Sequence, residues 1–377
     1  MLWVIMAITA GICAIVAAFY YYILIQRVIS LIFPEWNMKL PWKIVFVAVS
    51  VCLGGLSGNL FSTTGVILVH IMAAALLMDL INFIVKKRTK GKPPRRWNFV
   101  FKSLLVPLLL TALIFAYGYY NIRDVRETHY TVTTSKELNL SGGKEQCRVL
   151  LITDSHYGTI FEGEKLKELK NRMNAVKPDL VVLAGDIVDE STTKEQMKEI
   201  FAAFGDISST YGVYYVYGNH DRQNYTSEPY FTAEELETTI VENGIRVLKD
   251  EYVRVTGGIT LAGREDASAR QGRKSVKEIL KGVNSQDYLI MADHQPVEYG
   301  ENEAEKVDLI LSGHTHAGQL FPSGYVMKWF HTSDLYYGHE KNGKMDAVVS
   351  SGLAGWGYPI RTQNHSEFTV VDICPER

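Results

Sequence analysis

Four long apolar runs stand before residue 121, and no other feature of the chain constrains its folding as strongly. They cover residues 2–25, 44–61, 66–85 and 99–120. Each comes close to the ~20 residues that a helix needs to cross the hydrocarbon of a bilayer. Within lipid the backbone must satisfy its own hydrogen bonds, so a run of this kind is read as a helix. A cleaved leader would explain only the first run. Buried helices of a soluble domain would carry a polar face, and four successive runs without one argue against that reading. Residues 1–120 are therefore read as a four-helix transmembrane domain.

Lys and Arg in the short loops set the orientation of such a bundle. The third and fourth runs are joined by Lys86, Lys87, Arg88, Lys90, Lys92, Arg95 and Arg96. The first and second are joined by a loop with Arg27, Lys39 and Lys43, whereas the turn between the second and third has no basic residue. Both basic loops fall on one side, read as cytoplasmic. Everything after Tyr120 then lies on the outer side, with Tyr117, Tyr119 and Tyr120 as an aromatic belt. His70 and Asp79 lie within the third run, nine positions apart and so on opposite helix faces. They are read as structural or interfacial groups and not as one site. Pro107 is expected to bend the fourth helix.

The rest of the chain has a different character. Residues 121–146 are polar and read as a linker that opens with a candidate edge strand in the Thr-rich stretch 130–135. From residue 147 onward, short β-branched runs alternate with amphipathic ones. Strands are expected at 148–153, 180–184, 213–217, 245–248, 252–255, 259–262, 288–291, 309–311, 347–350 and 368–372. Helices are expected at 164–176 and 194–204, where apolar residues recur at helical spacing. Two further helices begin at the capping pairs Thr232/Glu235 and Ser275/Glu278. The order shifts from strand–helix alternation to mostly strand, which implies a four-layer α/β/β/α sandwich with mixed sheets over 147–377. The formal net charge of −2 gives no sign of nucleic acid as a partner. Without a C-x-x-C pair a thiolate zinc site is not expected. Cys147 and Cys374 are candidates for a disulfide if this part faces an oxidising space.

Five polar clusters follow expected strands. They are Asp154-Ser155-His156, Gly185-Asp186-Ile187-Val188-Asp189, Gly218-Asn219-His220-Asp221, His294 with Asp293 before it, and Gly313-His314-Thr315-His316-Ala317-Gly318. Loops at one edge of a sheet converge, so residues far apart in sequence meet there. Carboxylate, amide and imidazole donors suit a pair of divalent transition metals, and a shared carboxylate can join two ions. The set D-x-H, G-D-x-x-D, G-N-H-D, a lone His and G-H-T-H resembles the calcineurin-like metallophosphoesterases over about 148–372, all five motifs being in order. The Asp after His220 and the G-H-T-H-A-G run resemble the bacterial phosphodiesterase-type branch, which includes membrane-anchored members.

That resemblance implies two divalent metal ions, of manganese, iron or zinc. Asp154, His156, Asp186 and His316 would hold one, and Asp186, Asn219, His294 and His314 the other, Asp186 being shared. His220 would contact the phosphoryl group and protonate the leaving oxygen. Asp221 would either orient His220 or cap its turn. Asp189 is read as a hydrogen-bonding support for a neighbour. The implied reaction is hydrolysis of a phosphate ester or phosphodiester by a metal-bridging hydroxide. Placement at a membrane favours a lipid or envelope substrate, with membrane lipids as partners. The alternative is a non-catalytic metal-dependent binding or sensor module on the same fold. The aromatic stretch Phe321, Tyr325, Trp329, Phe330, Tyr336 and Tyr337 is either a lid for a lipid-like substrate or ordinary packing. Arg264, Arg270, Arg273 and Lys274 either bind phosphate or form a solvated basic loop. His331, His339 and His365 are read as surface or core, and no role follows for Arg361.

Overall fold

The computed structural model describes residues 2–59, 62–269 and 272–376, with 2–10 described as backbone. The chain divides into two compact units, Met1–Tyr117 and Gly118–Arg377.

The first unit is helical, with α1 (Leu2–Ile32), α2 (Leu40–Ser57), α3 (Thr63–Arg88), α4 (Arg95–Ser103) and α5 (Leu105–Arg123), the last running on into the second unit. Four helices, all but α4, are long and apolar enough to cross a membrane. Helices α1 and α2 approach closely through small residues: a Cβ on Gly54 would stand 2.5 Å from the Ala14 carbonyl oxygen. The fourth apolar run differs from its expected form. Leu104 takes a left-handed conformation, φ 58°, and ends α4. Residues 99–103 thus belong to a short basic and aromatic helix, and the long apolar helix starts at Leu105. Pro107 falls in the first turn of α5, where its missing N–H would have found no partner anyway, so it does not bend a helix midway. Phe61, the expected end of the second run, lies outside the described residues.

Arg27, Asp79 and His70 of this unit find partners. Arg27 Nη2 lies 2.5 Å from Asp79 Oδ1, and the Tyr20 hydroxyl donates to the same carboxylate. The Arg27 guanidinium also covers the Phe101 ring at 4.1 Å. His70 Nδ1 lies 2.8 Å from the Val66 carbonyl of its own helix, and its ring packs edge-on against Phe115. Asp79 and His70 therefore serve separate internal contacts.

The second unit opens with β1 (Arg126–Thr134), followed by β2 (Cys147–Ile152), α6 (Glu164–Ala175), β3 (Leu180–Ala184), α7 (Lys194–Gly205), β4 (Val213–Val216), α8 (Ala233–Glu242) and β5 (Ile245–Val247). After these come β6 (Glu251–Arg254), β7 (Ile259–Gly263), α9 (Val276–Ile279), β8 (Tyr288–Ala292), α10 (Tyr299–Ala304), β9 (Leu309–Ser312), α11 (Ser323–Phe330), β10 (Gly338–Asn342), β11 (Met345–Val349) and β12 (Glu367–Pro375). One sheet has the order β1-β12-β2-β3-β4-β5, and the other β10-β11-β9-β8-β7-β6. Alternation along the strands builds the layers. Leu150 and Ile152 face outward onto Leu166, Leu169, Met197 and Phe201 of α6 and α7. Their neighbours Val149 and Leu151 face inward onto Leu261, Ile290 and Leu309 of the other sheet. Beyond that second sheet, Met291, Ile310 and Ala347 pack on Val276, Ile279 and Tyr299. The result is the four-layer α/β/β/α sandwich with mixed sheets.

The polar stretch 121–146 is more than a connector. Its strand β1 runs parallel to β12 over nine residue pairs, from Arg126↔Glu367 to Thr134↔Pro375. Three capping boxes start helices, at Thr193/Gln196, Thr232/Glu235 and Ser275/Glu278, although the last helix is a single turn. Strand β10, of sequence GHEKN, has no apolar alternation and is legible only through its antiparallel pairing with β11. Cys147 is a buried free thiol opposite Ile373, and burial pushes that thiol up to about 12. Cys374, the next residue, belongs to the opposite face of the strand, with its sulfur 3.7 Å from Gln146 Oε1, so the two candidates for a disulfide are split across the sheet.

Candidate metal centre

The parallel strands β2, β3 and β4 end together, as do β8 and β9 of the facing sheet. The loops after them carry all five polar clusters. They are laced to each other: Asp154 N–H donates to the Gly185 carbonyl, His156 N–H to the Asp186 carbonyl and Gly313 N–H to the His294 carbonyl. His294 Nδ1 reaches across to the Ala184 carbonyl at 2.8 Å, joining the two sheets at the site.

The backbone here is strained where the side chains converge. Asp154, His156, Asp186, His314 and His316 all have positive φ, between 38° and 68°. Such conformations cost on the order of 1–3 kcal/mol each and persist where surrounding structure enforces them, often at functional sites. Glycines allow the close approach. A Cβ on Gly218 would lie 2.2 Å from Asp186 Oδ1, and one on Gly313 the same distance from Asp154 Oδ2.

Two donor clusters result. Asp154, His156 and His316 bring ligand atoms within 4.8 Å of one another, and so do Asp186, His294 and His314. Asp186 stands between them: its Oδ2 is 3.1 Å from His294 Nε2 and 3.9 Å from His156 Nε2. Its other oxygen accepts the His220 N–H at 2.9 Å. His156 Nε2, His316 Nδ1 and Asn219 Oδ1 are buried and make no hydrogen bond, and His294 Nε2 faces only the Asp186 carboxylate. An orphaned buried lone pair costs about 1–3 kcal/mol. Three of them beside His294 Nε2 and the Asp186 carboxylate fit the donor set of a pair of divalent cations.

The electrostatics point the same way. Burial works to raise the Asp186 carboxyl, but the His294, His220 and His156 rings outweigh it and hold it well below the usual range. Burial also opposes charge on His294, yet Asp186 and Asp154 hold that ring well above its ordinary value. His314 is pushed down to about 4, first by burial and then by the charge on His294. Protons and metal ions thus compete for the same nitrogen and oxygen atoms.

The supporting residues sort themselves by contact. Asp189 Oδ2 lies 3.1 Å from His156 Nδ1, fixing the ring so that Nε2 faces the pocket. Of the two readings for Asp221, the contacts match the cap of the turn. Its carboxylate accepts backbone N–H groups from Gly218, Asp186, Ile187 and Val188 at 2.6–3.2 Å, so it ties the second and third motif loops together. The carboxylate on His220 is Glu190, whose Oε2 is 2.7 Å from Nδ1. Glu190 had no motif to announce it; its one signal is its position directly after the Asp186–Asp189 motif. The His220 ring also stands 5.3 Å from the Trp356 ring and 5.0 Å from that of Tyr225.

Arg361 is fully buried and donates to the carbonyls of His316, Ser351 and Ala354 at 2.7–2.9 Å. It shapes the loop of the last metal-site motif without entering the pocket. Arg264 and Arg273 are not free to bind phosphate: Arg264 pairs with Glu298 and Glu301, and Arg273 with Asp293 and Glu298. Asp293 is thereby held behind His294, while burial pushes its carboxyl up to about 6. Lys274 Nζ donates to the Asp250 carbonyl, and Arg270 lies outside the described residues. His339 and His365 pair with Asp346 and Glu367, and His331 is exposed at the end of α11.

Residues 147–318 match the family model for calcineurin-like phosphoesterases. The chain carries a calcineurin-like phosphoesterase domain. An uncharacterized metallophosphoesterase of Helicobacter pylori is 31% identical over 62% of this chain and 61% of its own length. A metallophosphoesterase of Aquifex aeolicus is 27% identical over 71% of this chain and 98% of its own. A transmembrane protein with a metallophosphoesterase domain from Danio rerio is 28% identical over 72% of this chain and 62% of its own. The chain thus spans about three-fifths of the length of the Helicobacter and Danio proteins. The matched domain follows helices that are long and apolar enough to cross a membrane.

Proposed function

We propose that the protein is a binuclear, integral-membrane phosphoesterase that hydrolyses a phosphate ester or phosphodiester on the side opposite its basic loops. The observation that carries this reading is Asp186 standing between two donor clusters, with His156 Nε2, His316 Nδ1 and Asn219 Oδ1 buried beside it without a hydrogen bond. Asp154, His156, Asp186 and His316 would hold one ion, and Asp186, Asn219, His294 and His314 the other. Divalent ions bound there supply Lewis-acid stabilisation of phosphoryl charge and a water acidified toward neutral pH. The protein's own groups do the rest. His220 Nδ1–H donates to Glu190, which leaves Nε2 to carry the proton that the departing oxygen requires. Trp356 and Tyr225 flank that ring and limit its rotation. The strained loops hold the donors in place before substrate arrives, so little reorganisation accompanies the reaction. The outer placement follows from the Lys86–Arg96 basic run and four crossings before Asn121.

The test is hydrolysis of a chromogenic phosphodiester and its monoester by full-length protein with Mn²⁺, wild type beside Asp186→Asn. Turnover confined to wild type supports the reading, and the diester-to-monoester ratio narrows the substrate class. A metal-loaded wild type without turnover on either ester would overturn it in favour of a binding module.

A further inference from the structure

The exposed aromatic helix after the last metal-site motif has no role in the chemistry above. In α11, Tyr325, Val326, Trp329 and Phe330 fall at helical spacing on one face, with Phe321 just before them. All five are exposed, Trp329 at 81% and Phe330 at 72%; within the helix only Gly324 is buried. Apolar surface gathered this way marks an interaction site, and Trp, Tyr and Phe beside a Lys suit a membrane interface. The aromatic stretch therefore does not serve as core packing along this helix.

The fold places this helix beside the exit of the last apolar helix. The final turns of α5 pack onto the loop 359–364: the Gly118 carbonyl accepts the Arg361 N–H at 2.9 Å, and Asn121 Nδ2 donates to the carbonyls of Arg361 and Asn364. The same loop carries α11. Phe321 N–H donates to Thr362 Oγ1, and Gln363 Oε1 accepts the Gly324 N–H at the start of the helix. Gln319, two residues before Phe321, holds both the N–H and the carbonyl of Trp356, the residue whose ring backs His220. One platform thus joins the end of a lipid-spanning helix, the aromatic face and the support of the catalytic histidine.

We infer that the aromatic face of α11 docks into the interface of the bilayer that the chain's own helices occupy, and so presents the pocket to phosphate esters borne by lipids of that leaflet. The substrate half of this inference rests on the phosphoesterase reading; the docking half does not. The test uses full-length protein in nanodiscs of phosphatidylcholine and phosphatidylglycerol. Benzoyl-phenylalanine is placed at position 329, and as control at 241, where exposed Val241 lies on α8 at the far edge of the first sheet. Photolysis is expected to give lipid adducts at 329, several-fold above 241. Cross-links from 329 to a second copy of the chain, or no lipid adduct, would overturn the docking. Trp329→Glu with Phe330→Glu is then expected to cut hydrolysis of a bilayer-borne fluorescent phosphodiester about tenfold, while a soluble chromogenic ester is hydrolysed within about twofold of wild type. Equal rates on the bilayer-borne ester would overturn the substrate half. A wild type inert on both esters would overturn the phosphoesterase reading alone, because the cross-linking needs no turnover.

Discussion

The two units bury charge in opposite ways. In the helical unit an ion pair, Arg27 with Asp79, sits among apolar helices and is closed by Tyr20. Arg27 Nη2 and the Asp79 carboxylate answer each other, and Arg27 Nη1 is left without a hydrogen bond. In the second unit, three carboxylates or amides and four imidazoles crowd one pocket, and three of their ligand atoms, His156 Nε2, His316 Nδ1 and Asn219 Oδ1, make no hydrogen bond. A closed pair holds helices together; an open cluster is a place for something else to bind. The difference teaches that burial of charge alone does not mark a site, whereas several unsatisfied ligand atoms converging on one carboxylate do.

Substitutions can break this contrast. The largest effect is expected for Asp186→Asn, which serves both clusters. Activity is expected to fall by more than the roughly 10–100-fold that loss of an outer partner of a metal ligand costs. Metal content by elemental analysis is expected to drop, with the circular dichroism unchanged. Next comes the closed pair. Asp79→Leu alone strands Arg27 and is expected to cost about 3–5 kcal/mol in thermal unfolding in detergent, but adding Arg27→Met is expected to restore most of it. If the double variant stays as unstable as the single, the pair is more than a closed internal contact. No hydrophobic pair is expected to rescue Asp186 in the same way.

Glu190→Gln sharpens the comparison within the site. It is expected to lower kcat about tenfold with KM little changed, and more for an alkyl ester than for a nitrophenyl ester, whose leaving group needs no proton. An equal loss on both esters would show that Glu190 only holds the loop. The smallest effect is a pH dependence at Glu367. This buried carboxylate is held below its ordinary value: burial opposes ionisation, but His365, Thr128 and the Ser351 N–H outweigh it. A depressed folded pKa contributes stability above the unfolded value that is lost as pH falls through the folded one. Glu367→Gln is therefore expected to lose about 1–3 kcal/mol near neutral pH, and less as pH drops below about 4. A gap that stays constant from pH 7 to acid would show a packing effect instead.

Much of this was legible in the sequence because local signals agreed with the fold. The strands before each motif are buried on both faces and read as continuous apolar runs, and the glycines beside Asp186 and His314 mark backbone that must come close. What escaped depended on tertiary context. Leu104 gives no sign that it breaks a helix, because leucine favours continuing one. Glu190 becomes a partner of His220 only once two loops meet. Arg361 belongs to a residue type that is seldom fully buried, so its grip on three carbonyls could not be read from its neighbours. Asp221 could orient His220 or cap its turn as far as position tells, and only the fold shows its carboxylate spent on backbone N–H groups.

The pairing of β1 with β12 sets the timetable of folding. Arg126 meets Glu367 across 241 intervening steps of chain, and β12 lies between β1 and β2 in the sheet. As the chain emerges during synthesis, β1 has no neighbour to receive it until the last strand of the unit arrives. The β2 edge of the sheet stays open through that interval. Closure over so long a loop is slow. A nascent chain of this kind thus spends its youth needing protection from aggregation, and the final strand works as the latch that ends that need.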